Sequence, residues 1–110
     1  MKISLYVGLK AETRAVEYLK KHGYSIVDRN FHSRFGEIDI VAKKDDILHF
    51  FEVKYSKTYD AIERITPRKL QKIIKTIDYY IYKKSIDVDF QIDALIVNDK
   101  LIEIVENISY

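Results

Sequence analysis

One apolar stripe limits what this chain can become. Leu70, Ile73, Ile74, Ile77, Tyr80 and Ile81 stand at offsets 0, 3, 4, 7, 10 and 11, the spacing of one face of an α-helix. Thr66-Pro67 opens that helix with a capping hydroxyl and a proline at the first helical position. The segments on either side have a different period. Residues 47–55 are rich in apolar and aromatic residues, and within 88–97 Phe90, Ile92, Ala94 and Ile96 share one side, so both read as strands. A helix between two strands predicts a right-handed crossover joining parallel neighbours, which argues against a pure antiparallel meander.

The remaining elements extend this unit. Ala11, Ala15, Val16 and Leu19 recur at helical spacing over 9–22, and Gly23 stands where a left-handed C-cap falls. Residues 24–31 read as a strand, 33–36 as a turn, and 37–43 as a half-buried strand with Ile38, Ile40 and Ala42 on one face and Glu37, Asp39 and Val41 on the other. Lys43-Lys44-Asp45-Asp46 turns the chain tightly, making 37–43 and 47–55 antiparallel neighbours. A mobile loop is expected over 56–65, and Asn98-Asp99-Lys100 turns into a last strand over 101–106. The expected order is α-β-β-β-α-β-β: an α/β fold with a mixed five-stranded sheet flanked by helices. At 110 residues, 1–110 fits one domain.

Composition removes several function classes. With no Cys, the chain has no disulfide scaffold, thiolate metal site or Cys nucleophile, and a reducing compartment, the cytoplasm, is the expected location. No apolar run approaches the roughly 18 residues of a membrane span, and the start of the chain does not read as a secretory signal, so a soluble, unprocessed protein without a membrane partner is expected. The net charge of +2 conceals an asymmetry: residues 64–84 carry seven basic and one acidic residue, and 85–110 carry one and six. A block of +6 over one helix suits a polyanion such as nucleic acid, although a solvated face explains it as well.

The residues that point to chemistry are Asp39 and the triplet Glu52-Val53-Lys54. Glu52 and Lys54, two apart on a strand, leave the same face, and in a hairpin Asp39 meets them there. Two adjacent carboxylates repel, and a hard divalent cation such as Mg²⁺ relieves them, with the Val53 carbonyl and water as further oxygen ligands. An ion so held lowers the pKa of water and polarises a phosphodiester, while Lys54 offsets the charge of the transition state. Cross-strand ion pairing on a solvated sheet face accounts for the same three residues without any chemistry.

The arrangement Asp39, Glu52-x-Lys54 resembles the PD-(D/E)xK restriction-endonuclease-like superfamily, and its setting resembles the YraN-like family of small predicted endonucleases. The landmarks are Gly8-Leu9-Lys10-Ala11-Glu12, Glu17-Tyr18-Leu19 with Gly23-Tyr24, Arg29-Asn30, GEIDI at 36–40, Phe51-Glu52-Val53-Lys54, Thr66-Pro67-Arg68-Lys69 and Ile92-Asp93. The resemblance implies a restriction-endonuclease-like domain and a Mg²⁺- or Mn²⁺-dependent DNA endonuclease. Asp39 and Glu52 would be metal ligands, joined by the Val53 carbonyl, with Lys54 as the catalytic lysine and Glu12 as a third acid. Lys69 matches a family lysine directed at the phosphate backbone, and Arg68, Lys72 and Arg14 are further candidate nucleic-acid contacts. The layout is also similar to that of archaeal Holliday junction resolvases, which implies a branched or structured substrate by analogy alone. The family often has Arg where Ser56 stands, and Arg-Phe-Asp where this chain has Gln91-Ile92-Asp93.

Two other classes of function compete. A non-catalytic nucleic-acid-binding module would keep the fold and use the basic second helix. A protein-interaction domain would use Tyr79, Tyr80 and Tyr82 as a homodimer surface, although such a flank is more often the edge of a core. Carboxylates beside a phosphate site favour catalysis, because they repel the anion unless a metal intervenes. His22, His32 and His49 lack metal-ligand spacing and read as surface or packing residues.

Overall fold

The computed structural model describes residues 3–56 and 64–109. Its elements are α1 (Ile3–Lys21), β1 (Ser25–Ser33), β2 (Gly36–Lys44), β3 (Ile47–Tyr55), α2 (Pro67–Lys84), β4 (Phe90–Val97) and β5 (Ile102–Val105). The expected order α-β-β-β-α-β-β is the observed one. The loop expected over 56–65 lies, for 57–63, outside the described residues.

The five strands form one sheet in the order β1-β2-β3-β4-β5. Every neighbouring pair is antiparallel except β3 and β4, which run parallel from Leu48↔Phe90 to Tyr55↔Val97. The α2 crossover requires this, since a parallel return cannot be made by a tight turn. Thr66 caps α2 by accepting the Lys69 main-chain N–H, and Ser85, in the left-handed conformation at φ +53, ends it.

The two helices cover opposite faces. On one, Ala11, Ala15 and Leu19 of α1 pack on Ile40, Ala42, Phe51 and Leu95. On the other, Ile77 and Tyr80 of α2 pack on Val41, Leu48, Phe50 and Ile92. Consecutive pairs Val41-Ala42, Phe50-Phe51 and Ala94-Leu95 are therefore buried on both sides, as expected for strands sandwiched between helices.

Two details differ from expectation. The first helix begins at Ile3 rather than at residue 9, because Gly8 weakens a helix by roughly 1 kcal/mol without ending it. Ile38 does not share a face with Ile40 and Ala42 but joins Val41 in the α2-side core. Pairing between β2 and β3 stops at Ile40↔Phe51. Beyond that pair β2 is freed from strict alternation, and it turns toward α2.

Candidate active site

The divergence of β2 from β3 opens a cleft of about 460 Å³ on the α2 side of the sheet. Glu37 and Asp39 of β2 and Glu52, Val53 and Lys54 of β3 line it, with Lys69, Lys72 and Ile73 of α2 facing them. The period of 2 along β3 sends Glu52 and Lys54 to this side, while Val53 also packs toward the α1-side core.

Asp39 is held by the main chain: its Oδ2 accepts the Val53 N–H at 2.8 Å. Its carboxyl is pushed up to about 7, first by burial, then by the charge of Glu52 and, less, of Glu12. The Val53 N–H and the Lys54 ammonium oppose that shift without cancelling it. Lys54 Nζ lies 3.1 Å from Glu52 Oε1, both side chains being largely buried. The cleft thus holds a surplus of negative charge on the sheet and positive charge on the helix above it.

A divalent cation fits this donor set. Asp39 Oδ1 accepts no hydrogen bond from the described residues, Glu52 stands beside it, and the uncompensated charge that raises Asp39 is what a cation relieves. Among the described residues no three acid or imidazole side chains gather as a ready-made cage. Two carboxylates, with the Val53 carbonyl if it joined them, would leave the remaining positions of a cation to water and substrate oxygens, the usual habit of Mg²⁺.

The other candidate residues, Glu12, Arg14 and Arg68, do not line the cleft. Glu12 does not line the cleft; its Oε1 accepts from Asn30 Nδ2 at 2.8 Å and from Arg29 at 3.2 Å, so α1 is tied to β1 there. Its influence on Asp39 is through charge. Arg14 donates to the Asn98 carbonyl at 2.6 Å, bracing the β4–β5 turn away from the cleft. Arg68 is exposed at the start of α2 and is not among the cleft-lining residues. Glu37 lies 3.5 Å from His32, and the Arg34 guanidinium sits over the Phe35 ring.

Two features of the structure escaped the sequence reading. Gly36, at φ +147, lets β2 approach α2: a Cβ there would stand 3.0 Å from Thr76 Oγ1. A bulkier residue would crowd Thr76 on the helix that carries Lys69 and Lys72. On the α1 side, His49 Nδ1 lies 2.7 Å from Asp93 Oδ2, both residues being buried. The glycine directly before an alternating strand was a usable signal for the first; nothing local announces the second.

The family model described as "Uncharacterised protein family UPF0102" matches residues 11–97, which take in the C-terminal half of α1, all of α2, the cleft and the parallel strand pair. A UPF0102 protein of Campylobacter hominis is 57% identical over 103 residues, covering 93% of this chain and 92% of its own length. One from Campylobacter jejuni is 51% identical over 104 residues (94% and 93%), and one from Helicobacter pylori 53% over 103 residues (94% and 90%). With the match running through every strand that builds the cleft, this chain belongs to the UPF0102 family.

Proposed function

We propose that the chain is a metal-dependent DNA endonuclease of the PD-(D/E)xK, restriction-endonuclease-like type, hydrolysing phosphodiester bonds. The observation that carries the reading is the meeting of Asp39, Glu52 and Lys54 on one wall of a cleft whose opposite wall bears Lys69 and Lys72. Lysines alone would suit any phosphate binder; half-buried acids under them gain a role in binding phosphate when a cation joins the anion to the acids.

In this reading Asp39, Glu52 and the Val53 carbonyl hold Mg²⁺ or Mn²⁺, which when bound supplies an acidified water and a polarised phosphoryl oxygen. Asp39 is oriented for the task by the Val53 N–H. Lys54, kept in place by Glu52, directs its ammonium at the charge that grows on the phosphoryl oxygens as water adds and a P–O bond breaks. Lys69 and Lys72 draw the backbone phosphates down onto the sheet. The proton lost by water leaves on the departing oxygen, and no covalent enzyme intermediate is required.

The test is cleavage of linear duplex, single-stranded, flapped and four-way DNA by purified protein, with Mg²⁺, with Mn²⁺ and with EDTA. Metal-dependent cleavage that vanishes in Asp39→Asn supports the nuclease. Tight binding with no metal-dependent cleavage of any substrate supports the non-catalytic nucleic-acid-binding module instead.

A further inference from the structure

Beside the cleft, the β1–β2 hairpin and α2 continue the basic surface with aromatic rings. The hairpin tip is a built turn: Ser33 Oγ accepts the Phe35 main-chain N–H at 3.1 Å and donates to the Gly36 carbonyl at 3.3 Å. This presents Phe35 to Tyr79 of α2, with ring centroids 5.7 Å apart, and the Arg34 guanidinium lies 4.9 Å over the Phe35 ring. Lys83 in turn stands 5.8 Å from the Tyr79 ring. Lys72, Thr76, Tyr79 and Lys83 follow one another along a single stripe of α2, at intervals of four, three and four. Lys72 borders the cleft, so the stripe starts there and runs about 16 Å along the helix, given a rise of about 1.5 Å per residue. The only acid of α2, Asp78, lies about 120° off this stripe.

Cations alternating with half-exposed rings are poorly matched to a paired duplex, whose bases are stacked inside it. They match a strand whose bases are unpaired, with phosphates on Lys72 and Lys83 and base faces on Phe35 and the Arg34 guanidinium that lies over it. We propose that Arg34, Phe35, Tyr79 and Lys83 form a stacking track for an unpaired DNA strand leaving the cleft. The track rests on the nuclease reading for its place beside the cleft, and it assigns that site a substrate with a single-stranded segment next to the cut. It also separates two tyrosines that the sequence groups together, since Tyr80 is core while Tyr79 faces the track.

The test is equilibrium binding in EDTA, where cleavage is silent, using dye-labelled single-stranded and blunt duplex DNA of equal length and a single strand carrying 2-aminopurine. The wild-type protein should bind the single strand and quench 2-aminopurine. Phe35→Leu, which keeps the charge and most of the contact with Tyr79, should weaken single-strand binding roughly five-fold or more while leaving duplex binding within about two-fold. Duplex binding also reports whether the variant is folded. Equal losses on both DNAs, no loss on either, or no 2-aminopurine quenching by the wild type overturn the track and leave the nuclease reading in place. A wild-type protein that binds neither DNA in EDTA and cleaves none with Mg²⁺ or Mn²⁺ removes the nuclease reading and the track with it.

Discussion

Asp39 and Val53 are joined across the gap where β2 leaves β3: the carboxylate Oδ2 takes the main-chain N–H of Val53 at 2.8 Å, past the last paired residues, Ile40 and Phe51. A side chain replaces a backbone carbonyl as the ladder ends. One carboxylate oxygen is thereby fixed beside the cleft that Asp39 and Glu52 line. The arrangement stores electrostatic cost, since burial and the Glu52 charge together raise Asp39 to about 7.

That cost has a pH signature in metal-free protein. The folded-state value lies above the ordinary 3.8, so the folded protein holds a proton that the unfolded chain releases. The stability due to Asp39 is full below about pH 4, falls as pH rises toward about 7, and is flat above it. In EDTA, urea unfolding should show wild-type protein losing on the order of 1–3 kcal/mol between pH 5 and pH 8 relative to Asp39→Asn. Parallel stability curves for the two proteins would contradict the raised carboxyl. Added Mg²⁺ should restore wild-type stability at pH 8 and do little for the variant.

Lys54 and Glu52 should fail differently when removed. Glu52→Gln takes away an anionic ligand that also repels phosphate, so metal-supported cleavage should disappear while DNA binding stays equal or tightens. Lys54→Ala frees Glu52 from its 3.1 Å partner, so metal affinity should hold or rise, while the chemical step slows roughly 10²–10³-fold. Single-turnover cleavage across a Mg²⁺ titration separates the two. If both variants shift only the metal midpoint, Lys54 acts through Glu52 and not on the reacting phosphate.

Lys69 and Lys72 carry the charge above the acids. Replacing both by Ala should lower the slope of log affinity against log salt by about 0.9 per lost phosphate contact on duplex DNA. Arg14→Ala, which releases the Asn98 carbonyl outside the cleft, should leave the slope unchanged and lower the unfolding midpoint instead. A slope that responds to Arg14 and not to the lysines would move the DNA to the other face of the sheet.

Much of this was legible in the chain itself because it depends on period. The period of 2 put Glu52 and Lys54 on one face, and the period of 3.6 drew α2 from its cap at Thr66 through Tyr80. What could not be read depends on partners distant in sequence. Arg14 looked like a phosphate contact because its carbonyl acceptor is 84 residues away. The resemblance makes Glu12 a third acid by the metal, and its ties to Arg29 and Asn30, 17 and 18 residues on, could not be read from it. Ile38 was placed by strict alternation, which failed where the β2–β3 ladder ended.

Gly36 sets the width of the cleft, and its replacement tests that separately. At φ +147 any side chain is strained, and a Cβ would meet Thr76 Oγ1 at 3.0 Å and the Lys72 carbonyl at 3.9 Å. Gly36→Ala should destabilise by about 1–3 kcal/mol and reduce DNA affinity, since it moves Lys72 away from Asp39. Thr76→Ala in the same chain should recover the part due to contact and none of the part due to φ, giving a coupling energy of roughly 0.5 kcal/mol or more. Strict additivity would confine the effect to the backbone of the hairpin.

The buried pair on the α1 side makes the last prediction. Asp93 accepts from Gln91 Nε2 and from the Asn107 main-chain N–H, both at 2.9 Å, and its other oxygen lies 2.7 Å from His49 Nδ1. It thus pins the segment after β5 to β4, with the Ile108 N–H donating to the Ile92 carbonyl beside it. The His49 ring is held between Tyr24 and Phe51, so it cannot swing out to water when its partner is lost. Asp93→Ala strands the buried His49 ring nitrogen and two part-buried donors, Gln91 Nε2 and the Asn107 N–H, and should cost about 2–4 kcal/mol. His49→Phe keeps the ring packing but leaves Oδ2 without its partner, and it should cost less, about 1–3 kcal/mol. Both should leave the salt slope of DNA binding unchanged, because the pair faces away from the cleft. Urea unfolding with the same DNA titration decides the matter: a loss below about 1 kcal/mol for Asp93→Ala would mean that the tail is held by its apolar contacts instead.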